Sequence, residues 1–364
     1  MRILITGSCG FIGSHLTERL LKEDNIVLGI DDLNNIIYDS YHKLNNKTIL
    51  NKFKNYHHIT NDIINLTNEI TEFNPEVVIH LAAYANVRKS QEIPNLFIKN
   101  NVETTCSLIN CLIKLDKIPL FIYASSSSVY GNNKKIPFSE NDELNNIISP
   151  YALSKKLCED LVNFYCNNSN LKAIGLRFFT VYGPRCRPDM AIHNFLKNII
   201  NEKEIILYGD GSTERDYTYI EDIISGIINC LKYNIKDNEH LILNLGNNNP
   251  IKLLDLINLC EKITGKTAKI INKEIPNGDT LITYADISKA KKIIYYIPKY
   301  SIENGLINTY LWIKKYYITE KMYTIKDLQC QECMNKIMWI KKNYIDEKNY
   351  TFEDFKCQKC IKID

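Results

Sequence analysis

The chain has 364 residues, 45% of them apolar, and its 45 Lys and Arg against 42 Asp and Glu leave a net charge of +3. That is enough to build a full-sized core and suggests two domains, or one large α/β domain with a lobe. The near balance of charge argues against a nucleic-acid binder, which would need a basic stripe, and no run approaches the ~18 apolar residues of a membrane span.

In chain order, the first predicted strand is 2–6. A helix follows over 11–23, with Ile12, Leu16 and Leu20 on one stripe, then a second strand at 26–30. Residues 77–81 and 120–124 are nearly all apolar, as expected of strands buried on both faces. A long helix is predicted over 151–165 and a further strand over 173–178. This alternation indicates a doubly wound parallel sheet. After Gly183-Pro184 the pattern loosens. Helices near 191–202, 220–233 and 253–264 mix with extended pieces at 205–208 and 241–245, which suits a smaller lobe over a ligand cleft. A last helix is expected near 302–316. Beyond Tyr317 the chain turns Lys-, Met- and Tyr-rich with paired cysteines. The expected organisation is a dinucleotide-binding domain over 1–183, a substrate lobe over 184–317 that can interleave with it, and an extension over 318–364.

Gly7-Ser8-Cys9-Gly10-Phe11-Ile12-Gly13 joins the first strand to the first helix. One glycine makes the turn, one admits a pyrophosphate close to the backbone, and one lets helix and strand pack. The helix start then offers free N–H groups and a positive dipole end to phosphate. Asp31 ends the second strand eighteen residues after Gly13. A carboxylate there accepts from the adenosine ribose hydroxyls and repels the extra phosphate of NADP, so NAD is expected.

Tyr151 and Lys155 lie four apart on a predicted helix and share one face. An ammonium beside a phenol favours the phenolate, a general base for a sugar hydroxyl. The same spacing recurs at Tyr130/Lys134, Tyr295/Lys299, Tyr310/Lys314, Tyr317/Lys321 and Tyr344/Lys348, where a helix-surface pair is the plain reading. Position singles out Tyr151: it follows the glycine loop, Asp31, and a strand that ends in Ala124-Ser125-Ser126-Ser127-Ser128-Val129-Tyr130-Gly131. Serines at a strand's carboxyl end sit where open α/β sheets take ligands.

With these motifs in order, together with Asp62-Ile63, His80-Leu81-Ala82-Ala83 and the segment from Arg215 to Asp222, the chain resembles the extended short-chain dehydrogenase/reductases over about residues 1–317. The resemblance is to the NAD-dependent epimerase/dehydratase branch, nearest the UDP-glucuronate 4-epimerases. It implies a Rossmann-type α/β fold with a smaller α/β substrate lobe. It implies that Gly7, Gly10, Phe11, Ile12, Gly13 and Asp31 hold NAD, that Asp62 and Ile63 flank the adenine, and that Leu81, Ala82, Ala83 and Asn100 line the dinucleotide. Ser126 matches the catalytic Ser/Thr beside Tyr151 and Lys155, and Lys155 would also bond the nicotinamide ribose. On the substrate side, Arg215 matches the residue that grips the UDP phosphates and Asp279 the acid near the uridine ribose. Arg187, with Thr180 nearby, matches the arginine that meets the sugar carboxylate. Arg88, Ser127 and Ser128 join this set, and Thr283 matches a gate position whose small size would admit a 2-acetamido group. Tyr84 and Asn86 depart from the pattern, which would have a polar residue and a glycine, and residues 136–149 are unusually Asn-rich.

The implied reaction is C4 epimerisation of a UDP-sugar through a 4-keto intermediate, with UDP-glucuronate to UDP-galacturonate first. UDP-N-acetylglucosamine or UDP-glucose is the alternative. A 4,6-dehydratase or a decarboxylase would need a carboxyl group where Ser127 and Ser128 stand. A non-catalytic NAD-binding protein would be expected to lack the Tyr151/Lys155 pair. The resemblance also implies a homodimer formed through helices near 100–114 and 151–166.

Cys330-x-x-Cys333 and Cys357-x-x-Cys360 have the look of a four-thiolate structural zinc site. The other eight cysteines lack disulfide spacing and read as free thiols. No secretory-signal pattern is visible, and a cytoplasmic location is expected.

Overall fold

Runs of Ile, Leu and Val broken by Gly, Asn and Asp build the central strands. The computed structural model describes residues 1–276 and 280–321. Six strands come first: β1 (Arg2–Thr6), β2 (Ile26–Ile30), β3 (Tyr56–Ile59), β4 (Val77–His80), β5 (Leu120–Ser126) and β6 (Lys172–Phe178). Six follow: β7 (Thr180–Tyr182), β8 (Glu204–Tyr208), β9 (Glu214–Tyr219), β10 (His240–Leu245), β11 (Pro250–Lys252) and β12 (Lys269–Lys273).

Seven of these form one sheet in the order β10-β6-β5-β4-β1-β2-β3, with every pair parallel. Helices pack against it, among them Phe11–Lys22 and Pro150–Ser169. This is the Rossmann-type doubly wound sheet. Leu4, Val78, Phe121 and Ala173 align across β1, β4, β5 and β6 and are wholly buried, which explains why these strands read as continuous apolar runs. The chain steps outward from β1 to β3, then returns to β4 on the other side of β1. The carboxyl ends of β1 and β4 therefore flank a switch point, the place where such sheets bind ligands.

The strands expected from apolar runs lie where the sequence puts them. β5 runs two residues further, to Ser126, because the Ser125 hydroxyl is held by Glu159 and Ser126 caps the next turn. β3 was not anticipated. Its sequence Tyr-His-His-Ile carries little apolar signal, and it lies at the sheet edge.

The rest of the second half forms a three-stranded sheet, β11-β9-β7, and a two-stranded one, β12-β8. β10 goes back to the central sheet and pairs with β6 from His240↔Ala173 to Leu245↔Phe178. Residues Met1–Thr309 make one compact unit. A second unit starts at Tyr310, and its described part is the end of the helix Ile302–Lys321. The eight cysteines within the first unit are free thiols, seven of them buried.

Candidate active site

The turn after β1 is tight because three glycines allow it. Gly7 adopts φ +69°, and a Cβ there would lie 2.8 Å from the Ala82 nitrogen. A Cβ on Gly13 would lie 2.0 Å from the Gly7 carbonyl oxygen. Gly10 donates to that same oxygen at 3.0 Å and leads into the helix Phe11–Lys22. Bare backbone thus faces the cleft at a helix start, the arrangement that accepts a pyrophosphate. A side chain on Gly7 or Gly13 would fill this cradle, so its bare backbone fits the pyrophosphate of a dinucleotide such as NAD.

A relay of hydroxyl groups fixes the floor of this cradle. Thr105 donates to the Asn101 carbonyl at 2.7 Å, so it accepts from Nε2 of His80 at 3.1 Å. Nδ1 of His80 then accepts from Thr6 at 2.7 Å, and Thr6 accepts from the Ala82 amide at 3.2 Å. Burial, with the Lys155 charge nearby, lowers the His80 value to about 3, so the ring is neutral.

At the end of β2, Asp31 is buried and accepts from the Cys9 and Leu33 amides at 3.1 and 2.9 Å. Burial pushes its carboxyl above the ordinary value, opposed by Lys43, whose Nζ lies 3.8 Å away. Burial and the Asp31 charge push the Cys9 thiol up to about 12. It is a packed thiol, not a nucleophile. Asp62 caps the short turn Ile63–Asn65 through the Ile64 amide.

Ser149 caps the helix Pro150–Ser169, and Pro150 at its first position is preorganised for that role. Tyr151 and Lys155 follow on the cleft side, one turn apart. The Tyr151 ring meets Phe97 edge-on at 6.3 Å. Lys155 donates to the Ala124 carbonyl at 2.8 Å, which uses one of three ammonium protons. Ser126 Oγ accepts from the Ser128 amide at 3.1 Å, so its own proton is directed elsewhere. Of the other described Tyr-x-x-x-Lys pairs in the first unit, Tyr130 is buried against Arg177 and Asn244, and Tyr295 is 80% exposed.

One cavity of about 890 Å³ joins these parts. Its wall includes Gly7, Gly10, Phe11, Ile12, Gly13, Asp31, Asp62, Ile63, Leu81, Ala82, Ala83 and Asn100 around the glycine turn. It includes Ser126, Tyr151 and Lys155 in the middle, and Arg88, Ser127, Ser128, Thr180, Arg187 and Arg215 beyond them. Thr283 is not brought to the wall. It is buried, and its hydroxyl and carbonyl both accept from the Asp216 amide. Asp279 and the four tail cysteines lie outside the described residues. Among the described residues, no group of three or more His, Cys, Asp or Glu is placed to hold a metal ion.

Several wall residues escaped sequence reasoning. Lys43 stands beside Asp31. Asp189 takes Nε and Nη2 of Arg187 at 3.0 and 2.7 Å, with Tyr38 under the guanidinium. The two departures from the family pattern have structural partners. Tyr84 takes its amide to Asn101 and its ring to Phe97, and Asn86 caps the helix Val87–Glu92 and donates to Asp189 at 2.9 Å. Arg88 donates to the Tyr208 hydroxyl at 2.9 Å, and Arg215 donates to the carbonyls of Glu214, Thr280 and Leu281.

Residues 3–246 match the model of the NAD dependent epimerase/dehydratase family. A UDP-glucuronate 4-epimerase of Thermodesulfobacterium geofontis is 40% identical over 319 residues, covering 86% of this chain and 96% of that one. An uncharacterised protein of Methanocaldococcus jannaschii is 44% identical over 309 residues, covering 84% and 93%. Among solved structures, a UDP-glucuronic acid 4-epimerase of Bacillus cereus, in complex with UDP-glucuronic acid and NAD, superposes with a TM-score of 0.82. It is 36% identical and covers 87% of this chain and 100% of that one.

Proposed function

The chain belongs to the NAD-dependent epimerase/dehydratase family, and from that premise we propose that it inverts C4 of a UDP-sugar, interconverting UDP-glucuronate and UDP-galacturonate. The observation that carries this is the shared cavity: Tyr151, Lys155 and Ser126 open onto the same space as the glycine cradle.

Tyr151, as phenolate, takes the proton from the C4 hydroxyl, and Ser126 donates a hydrogen bond to the same oxygen. Bound NAD supplies a hydride acceptor and donor at C4. Lys155 keeps the phenolate stable and, with one proton held by the Ala124 carbonyl, has two left that would serve the cofactor ribose. The 4-keto sugar turns over in the cleft while Arg215 holds the UDP phosphates. Tyr151 then returns the proton. Arg187 and Thr180 receive the sugar carboxylate, since a guanidinium is the natural partner of a uronic acid. The named relatives support that choice of sugar. Ser127 and Ser128 carry no carboxyl group for dehydration.

One observation favours a second reading. Asp189 already occupies Nε and Nη2 of Arg187, which suits a neutral UDP-hexose such as UDP-glucose or UDP-N-acetylglucosamine. The test is incubation with each UDP-sugar followed by NMR. Formation of UDP-galacturonate from UDP-glucuronate is expected. UDP-xylose or a stable 4-keto product contradicts epimerisation, and turnover of neutral sugars alone selects the second reading.

Three further assignments belong to the same proposal. The chain works as a homodimer, supported by Leu153, Leu157 and Phe164, which stand exposed on the helix Pro150–Ser169. Cys330, Cys333, Cys357 and Cys360 hold a structural zinc, supported by their spacing. The protein acts in the cytoplasm, where eight free thiols persist. Sedimentation and metal analysis test the first two.

A further inference from the structure

Next to the cavity, whose wall includes Ser125 but neither Glu159 nor Arg177, lies a buried charged pair that the reaction does not use directly. Glu159 is on the same helix as Tyr151 and Lys155, one turn beyond Lys155. Its carboxylate accepts Nε and Nη2 of Arg177 at 2.9 and 2.8 Å, and the Ser125 hydroxyl at 2.6 Å. Ser125 and Arg177 are register partners on β5 and β6, and Arg177 is in turn the partner of Asn244 on β10. Arg177 Nη1 donates to Tyr130 at 2.9 Å, and Tyr130 donates to Asn244 at 2.7 Å. Both charged groups are about 95% buried.

Every strong donor and acceptor in this cluster is matched, so it has one low-energy arrangement. It ties together two pieces of backbone. One is the helix that carries Tyr151 and Lys155. The other is the strand end where Ser125 precedes Ser126. A hydroxyl and a phenol that must both reach one sugar oxygen depend on that spacing being held, since a displacement near 1 Å costs about a hundredfold in rate.

We propose that Glu159 and Ser125 are positioning residues that set the distance between the Tyr151/Lys155 helix and Ser126. The inference rests on the catalytic roles proposed above for Tyr151, Lys155 and Ser126. Loosening the tie leaves the NAD contacts in place, because β1, β4 and their loops take no part in the cluster and Lys155 keeps its own bond to the Ala124 carbonyl. The defect falls on the chemical steps. Oxidation and reduction at C4 would both slow, since each needs Tyr151 and Ser126 at the same sugar oxygen, so the reduced fraction of the cofactor would stay near the wild-type level while turnover falls.

The experiment compares Ser125→Ala, Ser125→Thr, Glu159→Gln and Tyr151→Phe, each measured for melting temperature, bound NAD per chain, kcat, KM and steady-state absorbance of reduced nicotinamide. Ser125→Ala removes one hydrogen bond and keeps the ion pair, so it stays folded and informative even if Glu159→Gln does not. The expected result for Ser125→Ala is full NAD content, KM within about twofold, and kcat lower by about tenfold, with Glu159→Gln lower by about a hundredfold. Ser125→Thr, which keeps a hydroxyl, recovers most of the rate. Wild-type kcat per NAD-loaded molecule in Ser125→Ala, or losses that merely follow NAD content or melting temperature, overturn the inference. An active Tyr151→Phe instead overturns the catalytic assignment beneath it. Inactive Tyr151→Phe with fully active Ser125→Ala and Glu159→Gln overturns the positioning role alone.

Discussion

The ammonium of Lys155 lies 2.8 Å from the main-chain carbonyl oxygen of Ala124, two residues before β5 ends at Ser126. This bond pins the lysine between the strand end and the cavity. Lys155→Met keeps the length of the side chain and removes the charge. It is expected to lower kcat by about a hundredfold or more and to weaken NAD retention through gel filtration. A variant with normal kcat and normal nucleotide content would remove Lys155 from the mechanism.

The glycine cradle makes a steric prediction. A methyl group at Gly13 meets the Gly7 carbonyl at 2.0 Å, and both contacting atoms are backbone. Gly13→Ala is expected to destabilise by about 1–3 kcal/mol and to leave the purified protein largely free of NAD. Thermal melting and nucleotide release after acid precipitation measure both. A wild-type melt with full NAD content would show that this turn is not the cofactor seat.

Asp31 and Lys43 make opposite demands on the cofactor. Asp31 would repel a 2′-phosphate, whereas Lys43, 3.8 Å away, would attract one. Asp31→Ser with Lys43 kept is expected to shift the NAD/NADP affinity ratio toward NADP by about tenfold, ~1.4 kcal/mol. Adding Lys43→Ala should reverse much of that shift. Titration of stripped protein with each nucleotide reads the ratio, and an unchanged ratio in Asp31→Ser places the adenosine ribose elsewhere.

Stability should fall on the acid side. Burial lowers His80 and His193 to about 3 and His15 and His240 to about 4, from an ordinary value of 6.5. The unfolded chain therefore binds protons near pH 6.5 that the folded chain refuses, and stability present above that pH is lost as pH falls toward 4. His58, at about 4, and His42 are lowered too, while Asp216, raised by burial to about 6, and Asp31, Glu140, Glu221 and Asp222, also raised by burial, work in the opposite sense, so the histidine contribution is read through a single variant. His80→Asn is expected to give a shallower decline of melting temperature between pH 6.5 and 4. A slope parallel to the wild type would mean that His80 is not held neutral.

What could be read from the sequence was local. The glycine turn, Asp31, and the Tyr151/Lys155 pair each sit within one strand-turn-helix or one helical turn, where spacing dictates geometry. The partners that complete the site come from other elements of the fold. Lys43 reaches Asp31 from a separate helix, Asp189 meets Asn86 across 103 residues, and Arg177 meets Glu159 only because β6 lies beside β5. Such pairings follow from the strand order, which no local pattern encodes. Thr283 shows the same point from the other side. The resemblance placed it at a gate position, yet its hydroxyl is taken by the Asp216 amide on β9 and it is not part of the cavity wall.

The central claim is that one bound nicotinamide both takes and returns the C4 hydrogen. It is tested most directly with UDP-glucuronate carrying deuterium at C4, incubated in ordinary water and followed by NMR. The account predicts UDP-galacturonate that keeps its deuterium at C4, because the label never reaches solvent. Product with hydrogen at C4 would contradict it, pointing to exchange of a proton at that carbon instead of hydride transfer within a closed site.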